Sequence, residues 1–204
     1  MKKNWYEFLW IVELIYFILG LCNILFAWLG MVFFTIPLLA AIMGGNKIYC
    51  NHFCGRGQLL GLLGGRWKLS RNVPPPKFLR SRWFRYGFLA FFMTMFSLML
   101  FSTYKVFAGA PLKEAVTLLW VFKLPWQWAD VSMTAPWVAQ FAFGFFGVML
   151  TSTILGLGTM VLFRPRSWCV YCPMGTMTQG ICRLKLGKEG TDCGRTSKKD
   201  SGAA

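Results

Sequence analysis

From Leu14 to Asn46 the chain carries no charged residue. One helix through that stretch would be about 50 Å long at 1.5 Å per residue. The hydrocarbon core of a bilayer is only about 30 Å thick. Two spans sharing a tight turn fit better, and Trp28-Leu29-Gly30 offers a place for the turn. Phe88–Tyr104 and Val138–Phe163 are two further uncharged runs. Of 204 residues 56% are hydrophobic, and 22 Lys and Arg against 7 Asp and Glu leave a formal charge of +15. In a soluble protein that surplus would point to nucleic acid. A soluble binder could not keep such long uncharged runs in water, so nucleic-acid binding is excluded. Basic residues segregated beside apolar runs are the pattern of an integral membrane protein. The predicted fold is an all-α integral membrane protein, a single membrane domain over 1–204. It has four transmembrane helices arranged as two hairpins.

The charges order these spans. Residues 5–46 form the first hairpin, with Pro37 bending its second helix. Met1-Lys2-Lys3 resembles the start of a signal peptide but lacks a small-residue cleavage site, so it reads as the start of an uncleaved span. Residues 47–85 carry nine Lys and Arg and no acid, which places this loop in the cytoplasm. Within it, Gln58–Leu63 is predicted as a short helix lying on the membrane, and Val73-Pro74-Pro75-Pro76 as a stiff extended linker. Residues 86–163 form the second hairpin, with an external loop at 105–136. That loop has mixed charge and Trp120, Trp126 and Trp128, with Trp137 just after it, which suit the headgroup level. A short interfacial helix is expected there near Leu112–Phe122. Gly144, Gly147, Gly156 and Gly158 permit close helix contact. Residues 164–196 are a second basic segment, and 197–204 a disordered tail. Four spans place Lys2 and Lys3 on the cytoplasmic side; three would place them outside. The expected location is a bacterial or archaeal cytoplasmic membrane.

Two short motifs close the two hairpins: Tyr49-Cys50-Asn51-His52-Phe53-Cys54-Gly55-Arg56-Gly57 and Trp168-Cys169-Val170-Tyr171-Cys172-Pro173-Met174-Gly175. In each, an aromatic precedes the first cysteine, and a glycine lies three positions after the second. Two spans separate the motifs, so both face the cytoplasm. Two spans and a motif per half make a parallel pseudo-repeat about an axis along the membrane normal. Such an axis brings Cys50 and Cys54 toward Cys169 and Cys172. Four soft thiolates select zinc or an iron–sulfur cluster. The zinc alternative is a closed structural site in a membrane assembly or scaffold protein. Three features favour iron–sulfur. Cys172-Pro173 repeats the ending of cluster-binding runs. Gly55, Gly57 and Gly175 let backbone N–H groups approach cluster sulfurs. Arg56, Arg164 and Arg166 offset the negative charge of a four-thiolate cluster. A [4Fe–4S] cluster is the first choice and a [2Fe–2S] cluster the second.

On Cys50, Cys54, Cys169, Cys172, Pro173 and Gly175 the chain resembles the membrane-bound iron–sulfur proteins of the NapH and NosR type. It departs from them in Gly55 where proline is usual, in the two-residue spacing of Cys169 and Cys172, and in lacking appended ferredoxin and flavin-binding domains. The resemblance implies electron transfer through a membrane-anchored cluster, as a carrier or an oxidoreductase subunit rather than a stand-alone enzyme. Expected partners are membrane lipid, an acidic redox protein such as a ferredoxin or flavoprotein, and other membrane redox subunits. Among the remaining residues, His52 reads as a spacer and Cys22 as packing. Glu13 is expected near the interface and solvated. The odd cysteine count does not read as a disulfide framework. Cys182 lies about 15 Å of helical rise from Cys172, too far to share a cluster without a fold-back. Cys193 reads as a free thiol in the tail.

Overall fold

The computed structural model describes residues 8–44, 53–113, 115–118, 122–125 and 134–186. Helix α1 spans Leu9–Cys22 and stops at Asn23, whose extended backbone breaks the helix. The Asn23 side chain accepts from Leu25 N–H, starting a 3-10 turn over Ile24–Trp28 that runs into α2, Leu29–Gly44. The turn therefore falls five residues before Trp28-Leu29-Gly30, where a polar side chain can satisfy freed backbone. After α2 come α3 (Gly55–Gly61), a single π turn (Leu62–Arg66), the short α4 (Lys77–Arg80) and α5 (Arg82–Phe107). A two-stranded antiparallel hairpin, β1 (Ala115–Leu118) and β2 (Phe122–Pro125), precedes α6 (Pro136–Leu162) and α7 (Pro173–Leu186).

The hairpin corrects two expectations: the fold is mostly helical rather than all-α, and the strand Ala115–Leu118 stands where the sequence predicts an interfacial helix near Leu112–Phe122. Val116 and Leu118 alternate with Thr117 in that strand and point inward. Val116 is fully buried against Ile24, Ala27, Ala139, Ala142, Phe143 and Phe146. A β-branched residue in a two-residue alternation suits a strand better than a helix.

These contacts define two ends. The β hairpin and the α1–α2 turn sit at the start of α6. At the other end, the backbone carbonyl of Leu9 lies 2.8 Å from where a Cβ on Gly55 would be, so α1 starts against α3. Phe107 meets Trp137 at the hairpin end, whereas Arg85 meets Gln179 of α7 at the other. Thus α1–α2 and α5–α6 each run out and back, and both cysteine motifs follow a returning helix. Three segments are long and apolar enough to cross a membrane: Ile24–Met43, Arg82–Phe107 and Pro136–Leu162. The described α1 has 14 residues, about 21 Å of rise.

Small residues set the helix spacing. A Cβ on Gly144 would lie 2.3 Å from Met99, one on Gly147 2.6 Å from the Thr117 carbonyl, and one on Gly156 3.3 Å from Leu60. Gly158 faces open space and plays no such part. The linker after the π turn has no regular structure, as the three prolines predict. It docks on the end of α6: Arg71 N–H donates to Val161 O, and the Ser70 hydroxyl donates to Phe163 O. Carbonyls orphaned at the α6 terminus are thereby satisfied by the first half of the chain.

Candidate metal centre

Cys54 immediately precedes α3, and Gln58 N–H donates to its carbonyl. Cys172 stands in the same relation to α7, with Pro173 at the first helical position and Thr176 N–H donating to the Cys172 carbonyl. Cys169 lies in the 3-10 turn Ser167–Val170 between α6 and α7. The two motifs meet. A Cβ on Gly57 would stand 3.7 Å from the sulfur of Cys54 and 3.7 Å from the sulfur of Cys169. One on Gly175 would lie 3.9 Å from the Cys172 Cβ. Both glycines therefore leave room beside the thiols that any side chain would fill. Cys50 and His52 lie outside the described residues.

Cys54, Cys169 and Cys172 line one cavity of about 250 Å³ together with Gly55, Gly57, Pro173 and Gly175. Its opposite wall is apolar, with Phe33, Phe34, Phe92 and Phe96. Such a volume exceeds several waters at roughly 30 Å³ each, so it has room for a multi-atom group. A zinc ion would need thiolates converging at about 2.3 Å from one point. Among the described residues no group of three His, Cys, Asp or Glu is placed to hold a metal ion. Three of the four expected thiols stand around the wall of this cavity.

Of the three arginines expected near the thiols, only Arg56 lines this cavity. Its Nη2 lies 2.9 Å from Glu13 Oε1 and its Nε donates to the same oxygen at 3.0 Å. Its Nη1 donates to the Ser152 hydroxyl on α6. Arg56 thus joins α1, α3 and α6. Burial works against its charge, but Glu13 and the thiols of Cys54 and Cys172 more than offset this and raise its pKa. Burial pushes the Cys54 thiol up. Arg164 and Arg166 are exposed and stand outside the cavity; Arg166 reaches over Gly61 instead.

Glu13 corrects the sequence reading, because it is 5% exposed and ion-paired rather than solvated. It is the only acidic residue among those described, and a buried lone acid opposite a basic motif was the available signal. The predicted surface helix is corrected too. Leu60 of α3 is fully buried with Met160, Trp168, Phe92 and Tyr171. Cys22 is exposed rather than packed. Cys182 is fully buried and disulfide-bonded.

Trp168 and Tyr171, the aromatics of the second motif, are missing from the expected site but hold it in place. Phe88 packs edge-on against both, at centroid distances of 5.6 and 5.0 Å. This geometry defines a helical protein with a thiol-lined centre between its two halves. A family model described as a 4Fe-4S binding domain matches the chain in two segments, residues 26–76 and 141–189. Each match covers a returning helix and the cysteine motif after it. Comparison with curated proteins and with solved structures found no match. The cofactor is therefore an iron–sulfur cluster of the 4Fe–4S type.

Proposed function

We propose that this chain is a membrane-anchored electron carrier whose [4Fe–4S] cluster is held by Cys50, Cys54, Cys169 and Cys172. The observation that carries this reading is Gly57, which stands equally close to the sulfurs of Cys54 and Cys169, one from each motif. When bound, such a cluster supplies reversible electron uptake at a potential set by its net charge, hydrogen bonds and solvent exposure. The chain's own residues act on those three quantities. Arg56 brings a buried positive charge beside the thiolates, and Glu13 sets how much of that charge is felt. Gly57 and Gly175 admit the cluster close to backbone. Phe33, Phe34, Phe92 and Phe96 keep water from one side.

We further propose that α1 and α2 form a first membrane hairpin and α5 and α6 a second, as halves of a parallel pseudo-repeat. The same family model matching once in each half supports this. The resemblance to the NapH and NosR type points to the same role. The basic loop of 47–85 supports a cytoplasmic setting for the cluster. That charge would draw an acidic ferredoxin or flavoprotein and raise the encounter rate. Electrons would then pass to or from other membrane redox subunits. The test is spectroscopic. Anaerobically purified protein should be brown, bleach on reduction and be paramagnetic in one redox state. A colourless protein holding stoichiometric zinc contradicts the proposal.

A further inference from the structure

Among the described residues, the arginines at the head of α5 have no carboxylate partner. Glu13 is the only acid among the described residues, and it is committed to Arg56. Arg82, Arg85 and Tyr86 share one face of α5, three and four residues apart. Thr176, Gln179 and Gly180 repeat that spacing on α7. The two faces enclose a pocket of about 30 Å³. Arg85 Nη2 donates to Gln179 Oε1 at its wall. The Nε–H of Arg85 is buried and has no acceptor among the described residues. A sealed guanidinium donor without a partner costs free energy, more than a neutral group would. Its usual explanation is a water or ion at the site. Two guanidinium groups and a phenol, with no acid among the described residues of the pocket, form a donor set for an oxyanion. Arginine forks match phosphate oxygens in particular.

We infer that this pocket between α5 and α7 binds a phosphate group, presented by the headgroup of an anionic lipid. The lipid source rests on the membrane reading above; the phosphate chemistry does not. The pocket's volume, about one water's share of the liquid, admits one phosphate oxygen onto Arg85 Nε–H. The rest of the group lies at the mouth, where Arg82 is exposed. The site stands at the end of a 26-residue apolar helix, on the same end of the bundle as the thiols. Basic pockets between spans at that level bind anionic headgroups.

Native mass spectrometry of the cluster-loaded protein in detergent, titrated with phosphatidylglycerol or phosphatidylcholine, tests this. The wild type should retain one phosphatidylglycerol and no phosphatidylcholine. At roughly 1 kcal/mol per arginine, retention should weaken about fivefold in Arg82→Gln. Arg85→Gln, which also loses the buried donor, should weaken it more than tenfold. Arg82 is exposed, so that variant should keep wild-type iron content and melting temperature. Inorganic phosphate should compete with phosphatidylglycerol in the wild type. Equal phosphatidylglycerol retention in all three proteins overturns the site. Stabilisation by inorganic phosphate with no lipid retained overturns the lipid source and keeps the phosphate chemistry. Failure of the protein to float with phosphatidylcholine vesicles would instead sink the membrane reading.

Discussion

The two cysteine motifs are held by different forces. Around Cys54 the support is electrostatic: Arg56 reaches back to Glu13 on α1 and across to Ser152 on α6. Around Cys169 and Cys172 it is packing, with Trp168 and Tyr171 buried among Phe84, Phe88 and Phe92. The first motif is therefore tied down by a few directional contacts that also set charge at the cavity. The second is tied down by area, which is indifferent to charge. An apolar cage fixes where thiols stand and excludes water but brings no charge of its own. A buried ion pair fixes position and brings charge as well.

Substitutions can break this contrast, beginning with the largest effect. Arg56→Met leaves Glu13 buried without its counter-charge and should cost about 3–5 kcal/mol of stability, read by thermal unfolding. The double variant Glu13→Gln, Arg56→Met should recover much of that loss. Removing the cation should also lower the cluster's reduction potential, whereas Glu13→Gln alone should raise it. Opposite signs from the two ends of one ion pair would not arise from a merely structural role. Leu60→Ala removes a fully buried side chain that bridges α3 to Trp168 and Gly156. It should cost about 2–5 kcal/mol, with little change in potential. Tyr171→Phe deletes a buried hydroxyl close to Thr159, for about 1 kcal/mol. Arg166→Gln is exposed and outside the cavity, and should stay within about 0.5 kcal/mol of wild type. A large potential shift in Leu60→Ala, or none in Arg56→Met, would dissolve the contrast between the motifs.

How much of this was legible beforehand follows from range of interaction. The apolar runs read out α5 and α6 closely, because span length is a local property checked against bilayer thickness. Cysteine spacing, with the charge map, correctly brought Cys54 toward Cys169. The β hairpin was missed because its few residues are dictated by burial against α6 rather than by propensity. Glu13 was misread because its partner lies 43 residues away, and no local pattern distinguishes a solvated interfacial acid from a paired one. Trp168 reads as the aromatic before Cys169 and Tyr171 as a spacer between the cysteines, since their packing role exists only once Phe88 lies against them. Arg164 and Arg166 were drawn toward the thiols by sequence proximity, but the turn before Cys169 points them outward.

The central claim is that thiols from both halves of the chain hold one iron–sulfur cluster. Its most direct test is anaerobic iron, sulfide and zinc analysis of the wild type beside Cys172→Ser. The account predicts about four iron and four sulfide per wild-type chain, as a 4Fe–4S cluster requires, with both largely lost in the variant and negligible zinc in either. Stoichiometric zinc in the wild type, or full iron and sulfide retained in Cys172→Ser, would contradict it.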